Sequence, residues 1–134
     1  MIVKALAATL FAMLISALPV LAFPTISNTS CSATEVNLVY NCKFELMENG
    51  HPIVDTKITV GASMPTMPMA HNIKPVTAQA SNEKPGQYMF ELQLEMFGEW
   101  LVVFDIFDPV RDRFKEKITF NSNGSARSAS KVSE

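Results

Sequence analysis

The chain has 134 residues, a formal net charge of −2, two cysteines, two histidines and eight methionines. That length allows one domain with a modest core. Its 18% of charged residues are spread rather than blocked, and no basic patch points to nucleic acid as a partner.

Met1 to Lys4 form a short n-region with one basic residue. Ala5 to Leu18 follow as an apolar run broken only by Thr9 and Ser16, and Pro19-Val20-Leu21-Ala22 supply a small-residue cleavage signal. This pattern predicts a secretory signal peptide over residues 1–22. The apolar run falls short of the ~20 residues that span a bilayer, so no stable membrane insertion is expected after cleavage. An uncleaved anchor is the competing reading. The mature protein, residues 23–134, is then periplasmic or secreted. In that compartment Cys31 and Cys42, the only cysteines, are expected to form a disulfide. A copper-thiolate pair or a redox pair are the alternatives, although the spacer between the two is long for a redox motif.

Beyond the signal the hydrophobic period is two. Val36, Leu38, Tyr40, Cys42, Phe44 and Leu46 share one parity, against Asn37, Asn41, Lys43 and Glu45 on the other, the alternation of a half-buried strand. Asn49-Gly50 is a hairpin signal, after which Val54, Thr56, Ile58 and Val60 continue the alternation. Residues 73–80 make another short strand, followed by the polar loop "SNEKPGQ". Tyr88, Phe90, Leu92, Leu94 and Met96 alternate with Glu91, Gln93 and Glu95. A tight "FGE" turn leads into Trp100, Val102, Phe104 and Ile106, whose opposite parity is also partly apolar. This strand is therefore expected to be covered on both faces for part of its length. After the corner "DPVRDR", residues 114–120 form a last strand. Residues 121–134 read as a disordered polar tail.

About seven antiparallel strands with turn signals between them, and no helix candidate after the signal, predict an all-β, immunoglobulin-like β-sandwich over residues 23–120. A small closed barrel is the runner-up.

The usual catalytic constellations are missing. There is no Gly-rich phosphate loop and no Ser or Cys beside an evident base, so the chain is not expected to be an enzyme. Asp105, Asp108 and Asp112 lie among Arg111 and Arg113, which reads as a solvated ion-pair corner. His51, directly after a hairpin glycine, reads as an exposed turn residue.

The stretch "ASMPTMPMAHNI", residues 62–73, is the feature that points to chemistry. Pro65 and Pro68 exclude a helix and push Met64 and Met67 toward extended conformations. On an extended chain Met67, Met69 and His71 project from one face at intervals of about 6.6 Å, and flexible methionine side chains can converge from there on one ion. Thioether sulfur with imidazole nitrogen suits Cu(I) and neither Mg²⁺ nor Ca²⁺. Met64 is a further candidate ligand. The plain alternative is a packing stripe, in which the methionines fill a core and His71 donates a hydrogen bond to a carbonyl.

"MPTMPMAH", followed by "PGQYMFELQLEMFGEWLVVFDI", resembles the YtkA-like (FixH-like) family, in which a "MP.MPM.H" segment precedes a "G.Y…L.M.G.W" segment. The resemblance covers residues 36–107. It implies an exported or membrane-anchored immunoglobulin-like sandwich, often linked with copper handling or with assembly of copper-containing respiratory enzymes. Carried over by position, the motif residues are Met64, Met67, Met69 and His71, with Gly86, Tyr88, Met96, Gly98 and Trp100 as its structural part. The chain departs from the family in its cleavable signal and its cysteine pair, which favours a soluble periplasmic role. The expectation is an exported Cu(I)-binding carrier or buffer, with an exported copper protein or a respiratory-enzyme assembly as partner. The competing expectation is a metal-free interaction module with a Met-rich contact loop.

Overall fold

A computed structural model describes residues 17–19, 21, 23–67, 69–108 and 111–131. The predicted signal peptide therefore lies outside the described residues, apart from 17–19 and 21. Among the described residues no helix is long and apolar enough to cross a membrane.

Among the described residues ten strands follow one another: β1 Pro24–Ala33, β2 Val39–Glu48, β3 His51–Pro52, β4 Ile58–Ser63, β5 Asn72–Thr77, β6 Gln79–Ala80, β7 Gln87–Gln93, β8 Gly98–Ile106, β9 Asp112–Phe120 and β10 Ala126–Lys131. They form two antiparallel sheets. One runs β1-β2-β7-β6 with β3 also paired to β2, and the other runs β10-β9-β8-β4-β5. The expected sandwich is therefore present, as two sheets rather than one closed barrel.

The alternation read in the sequence is the division between core and solvent. Tyr40, Cys42, Phe44 and Leu46 on β2, Tyr88, Phe90 and Leu92 on β7, and Trp100, Val102, Phe104 and Ile106 on β8 are all buried. Aromatic rings fill the space between the sheets. Phe44 stacks on Tyr88, with centroids 5.7 Å apart, and Phe90 meets Phe104 edge-on at 5.8 Å. Leu101 and Val103, on the outer face of β8, are only half-covered, so this strand is fully buried on its inner face alone.

Several expectations need correction. Val36 is exposed and Leu38 has φ +62°, so β2 begins at Val39 instead of extending back to Val36. The Asn49-Gly50 turn has both residues at positive φ, as a tight hairpin of this kind requires. Yet its second arm is only His51–Pro52. Asp55, at φ +57°, then redirects the chain to the other sheet, leaving Val54 exposed.

The single strand expected over residues 73–80 is two strands in different sheets. Ala78 is buried at the crossing and donates its N–H to the Ile58 carbonyl at 2.9 Å. β5 forms the edge of its sheet, and a register shift opposite Gly61 lets the Pro75 ring lie against that glycine.

Two strands had no apolar signal. β1 is rich in Ser, Thr and Asn and bends at a bulge where Asn28 takes φ +53°. The Asn28 side chain donates to Glu45 Oε2 at 2.9 Å. β10 replaces part of the expected disordered tail. The turn at Asn121–Ser125 folds it back, with Asn121 N bonded to Ser125 O at 2.9 Å and Gly124 at φ +82°. Residues 126–131 can then complete the ladder through their main chain. Cys31 and Cys42 are direct cross-strand partners on β1 and β2 and form a disulfide.

Candidate functional site

The Met-Pro stretch is the hairpin connection between β4 and β5. The ladder ends at the Ser63–Asn72 pair, and Met64 N extends it by donating to His71 O at 3.2 Å. Within the loop, Met67 N returns to Met64 O at 3.1 Å. This closes a turn with Pro65 in its second position, where a fixed φ and a missing N–H cost nothing. Ala70 N and His71 N both donate to Met67 O at 3.2 Å. Pro68 lies outside the described residues.

The expected extended geometry is therefore wrong. Pro65 acts as a turn residue, and the chain doubles back so that His71 is hydrogen-bonded to the main chain of Met67 instead of standing along a strand from it.

The four sequence-predicted ligands part company here. Met64 is 4% exposed and belongs to the core. Its methyl carbon lies 3.0 Å from where a side chain on Gly98 would begin. Met67, at 39% exposure, and Met69, at 97%, face solvent and take no part in the core. His71 is intermediate, with its side chain 25% exposed.

The β7–β8 turn, residues 94–97, packs beside this loop. Leu94 N donates to Leu38 O at 2.8 Å. The Trp100 indole N–H, fully buried, donates to Met96 O at 3.1 Å. The His71 ring and that indole meet in a T-shaped arrangement, with centroids 6.3 Å apart and planes at 66°. His71 Nδ1 contacts Glu95 Oε2. The end of the sandwich thus carries an imidazole in contact with a carboxylate, and three exposed methionines, Met67, Met69 and Met96, on the two adjoining loops. Among the described residues no group of three or more His, Cys, Asp or Glu side chains could hold a metal. With the Glu95 carboxylate engaged by His71 Nδ1, the remaining donors are thioether sulfurs and one imidazole nitrogen, a set that would suit Cu(I) better than an oxygen-seeking cation.

The other sequence-flagged residues stay apart from this site. His51 is exposed on β3, paired with Glu48. Asp105 accepts a forked pair of bonds from Arg113, at 2.6 Å and 3.3 Å, across β8 and β9, the ion pair that its corner suggested.

Glu95 is the site residue that sequence reasoning missed. It falls on the outward parity of a strand pattern and is separated from His71 by 24 positions. No local spacing links the two. The available signal was the joint occurrence of the two motif segments, one carrying His71 and the other containing Glu95.

Comparison with curated proteins and with solved structures returned no match. A family model described as YtkA-like matches residues 32–104, a span that holds the Met-Pro loop, the β7–β8 turn and the buried tryptophan. The chain belongs to the YtkA-like family.

Proposed function

We propose that this protein binds Cu(I) at the β4–β5 end of the sandwich, through Met67, Met69 and His71, and serves as an exported carrier or buffer in copper handling or cuproenzyme assembly. The observation that carries the reading is the folded loop. It holds His71 against the Met67 main chain while leaving both Met67 and Met69 out of the core. Two flexible thioethers beside one imidazole form a soft donor set. Met64 is left to the core. The signal-like N-terminus and the Cys31–Cys42 disulfide support export to an oxidising compartment. An exported copper protein or a respiratory-enzyme assembly is the partner this reading implies.

An anaerobic Cu(I) titration of the oxidised protein against a chromophoric chelator tests the reading. One tightly held Cu(I) per chain is expected, and no stoichiometric binding would overturn it.

The exposure of Met69 and Met67, with Met96 also exposed on the adjacent turn, favours one other reading. It is a metal-free interaction module that offers these methionines as an adaptable apolar contact. That reading predicts zero copper in the same titration.

A further inference from the structure

His71 and Glu95 come from different loops and meet because of sheet register. β4 pairs with β5 through Ser63 and Asn72 and with β8 through Ser63 and Leu101. The β4–β5 loop and the β7–β8 turn therefore leave the sheet side by side. The main chain of His71 is fixed at both its N–H and its carbonyl, by Met67 O and Met64 N. Its ring is bounded by Trp100 and by Glu95. Trp100 is itself immobilised, being buried and bonded to Met96 O.

An ionised carboxylate can only accept a hydrogen bond, so the hydrogen in the His71–Glu95 contact sits on Nδ1. A neutral imidazole carries one ring hydrogen, and placing it on Nδ1 leaves Nε2 as a bare lone pair. A histidine free in water favours the opposite tautomer. Carboxylates that orient histidine ligands in this way raise their basicity and fix the ring, and losing one weakens metal binding by roughly 10–100-fold.

The geometry points to Glu95 as the positioning residue of the site, holding His71 in its Nδ1–H tautomer so that Nε2 is the atom offered to the metal. This rests on the Cu(I) reading of the same loop for its ligand, but the tautomer is a property of the metal-free protein and can be measured separately. The Glu95 side chain is 53% exposed and lies in a turn, so replacing it leaves the core intact.

The experiment compares wild type, Glu95→Gln and Glu95→Leu. Nitrogen-15 chemical shifts of the His71 ring are read without metal in mildly alkaline solution, and Cu(I) affinity is read by chelator competition. Wild type should show hydrogen on Nδ1. Glu95→Gln, whose amide oxygen still accepts, should keep that tautomer, whereas Glu95→Leu should move the hydrogen to Nε2 and bind Cu(I) roughly 10–100-fold more weakly. Hydrogen on Nε2 in the metal-free wild type, or unchanged affinity in Glu95→Leu, would overturn the assignment while the copper reading of the loop stands. A wild type that binds no Cu(I) sinks the copper reading, and Glu95 then has no ligand atom to position.

Discussion

Phe44 of β2 and Phe104 of β8 meet edge to face across the two sheets, ring centroids 4.9 Å apart and planes at 65°. Both are fully buried, and Phe44 also contacts Phe90 at 5.8 Å. Removing either ring leaves a cavity at the centre of the sandwich. Phe104→Ala should cost about 3–5 kcal/mol, measured as a lower midpoint in urea at unchanged slope. A loss below about 1 kcal/mol would mean that the sheets close over the gap.

The Cys31–Cys42 disulfide ties an apolar-poor edge strand to the centre of its sheet. In the chain-entropy model a crosslink over this short a loop contributes about 3 kcal/mol. Reduction, or a Cys31→Ala/Cys42→Ala double substitution, should lower stability by that order. Labelling of the unfolded, unreduced chain should find no free thiol.

Met64→Leu separates packing from ligation. The swap keeps apolar volume at a buried position and should cost under about 1.5 kcal/mol, while Cu(I) affinity stays within about twofold. A tenfold loss of affinity would return Met64 to the ligand set.

Met67→Leu with Met69→Leu tests the opposite pair. Neither side chain is buried, so the thermal midpoint should not move beyond what a surface change causes. Cu(I) affinity should nonetheless fall at least tenfold if the thioethers are ligands. Unchanged affinity would leave His71 without its proposed sulfur partners.

Burial raises the hydroxyl of Tyr88 above the ordinary tyrosine range, and that of Tyr40 likewise. The Tyr88 hydroxyl donates to Ile53 O at 2.8 Å, a bond the phenolate cannot make. With the folded values raised, the unfolded chain loses these protons first as pH rises. Their stabilising contribution is complete below about pH 10 and is lost as pH climbs through the folded values. Unfolding midpoints should therefore drop in alkali, and less steeply in Tyr88→Phe. An identical alkaline decline in that variant would remove Tyr88 from the account.

Much of the sandwich was legible in the sequence because a strand with one buried face writes itself as a period of two, and β2, β7, β8 and β9 do so plainly. β1 and β10 were not. Edge strands hold their place by main-chain hydrogen bonds, and here by a disulfide, so their side chains need no apolar alternation. The break at Ala78 was hidden because a chain that changes sheets can keep its apolar pattern while its partners change. At the site, the residue types in the Met-Pro loop were readable but their shape was not. Pro65 excludes a helix equally well in an extended strand and in a turn, and only the return bonds to Met64 O and Met67 O separate the two. Glu95 depended on a tertiary approach that no spacing encodes.

Pro75 sits in β5, the edge strand that runs directly out of the Met-Pro loop. Proline offers no N–H to a visiting strand, and the register shift beside it breaks the even row of main-chain groups that such a visitor would need. A second chain cannot simply extend this sheet next to the loop. On the copper reading, a protein that exchanges the ion with Met67 and Met69 would therefore meet the loop itself instead of pairing with β5.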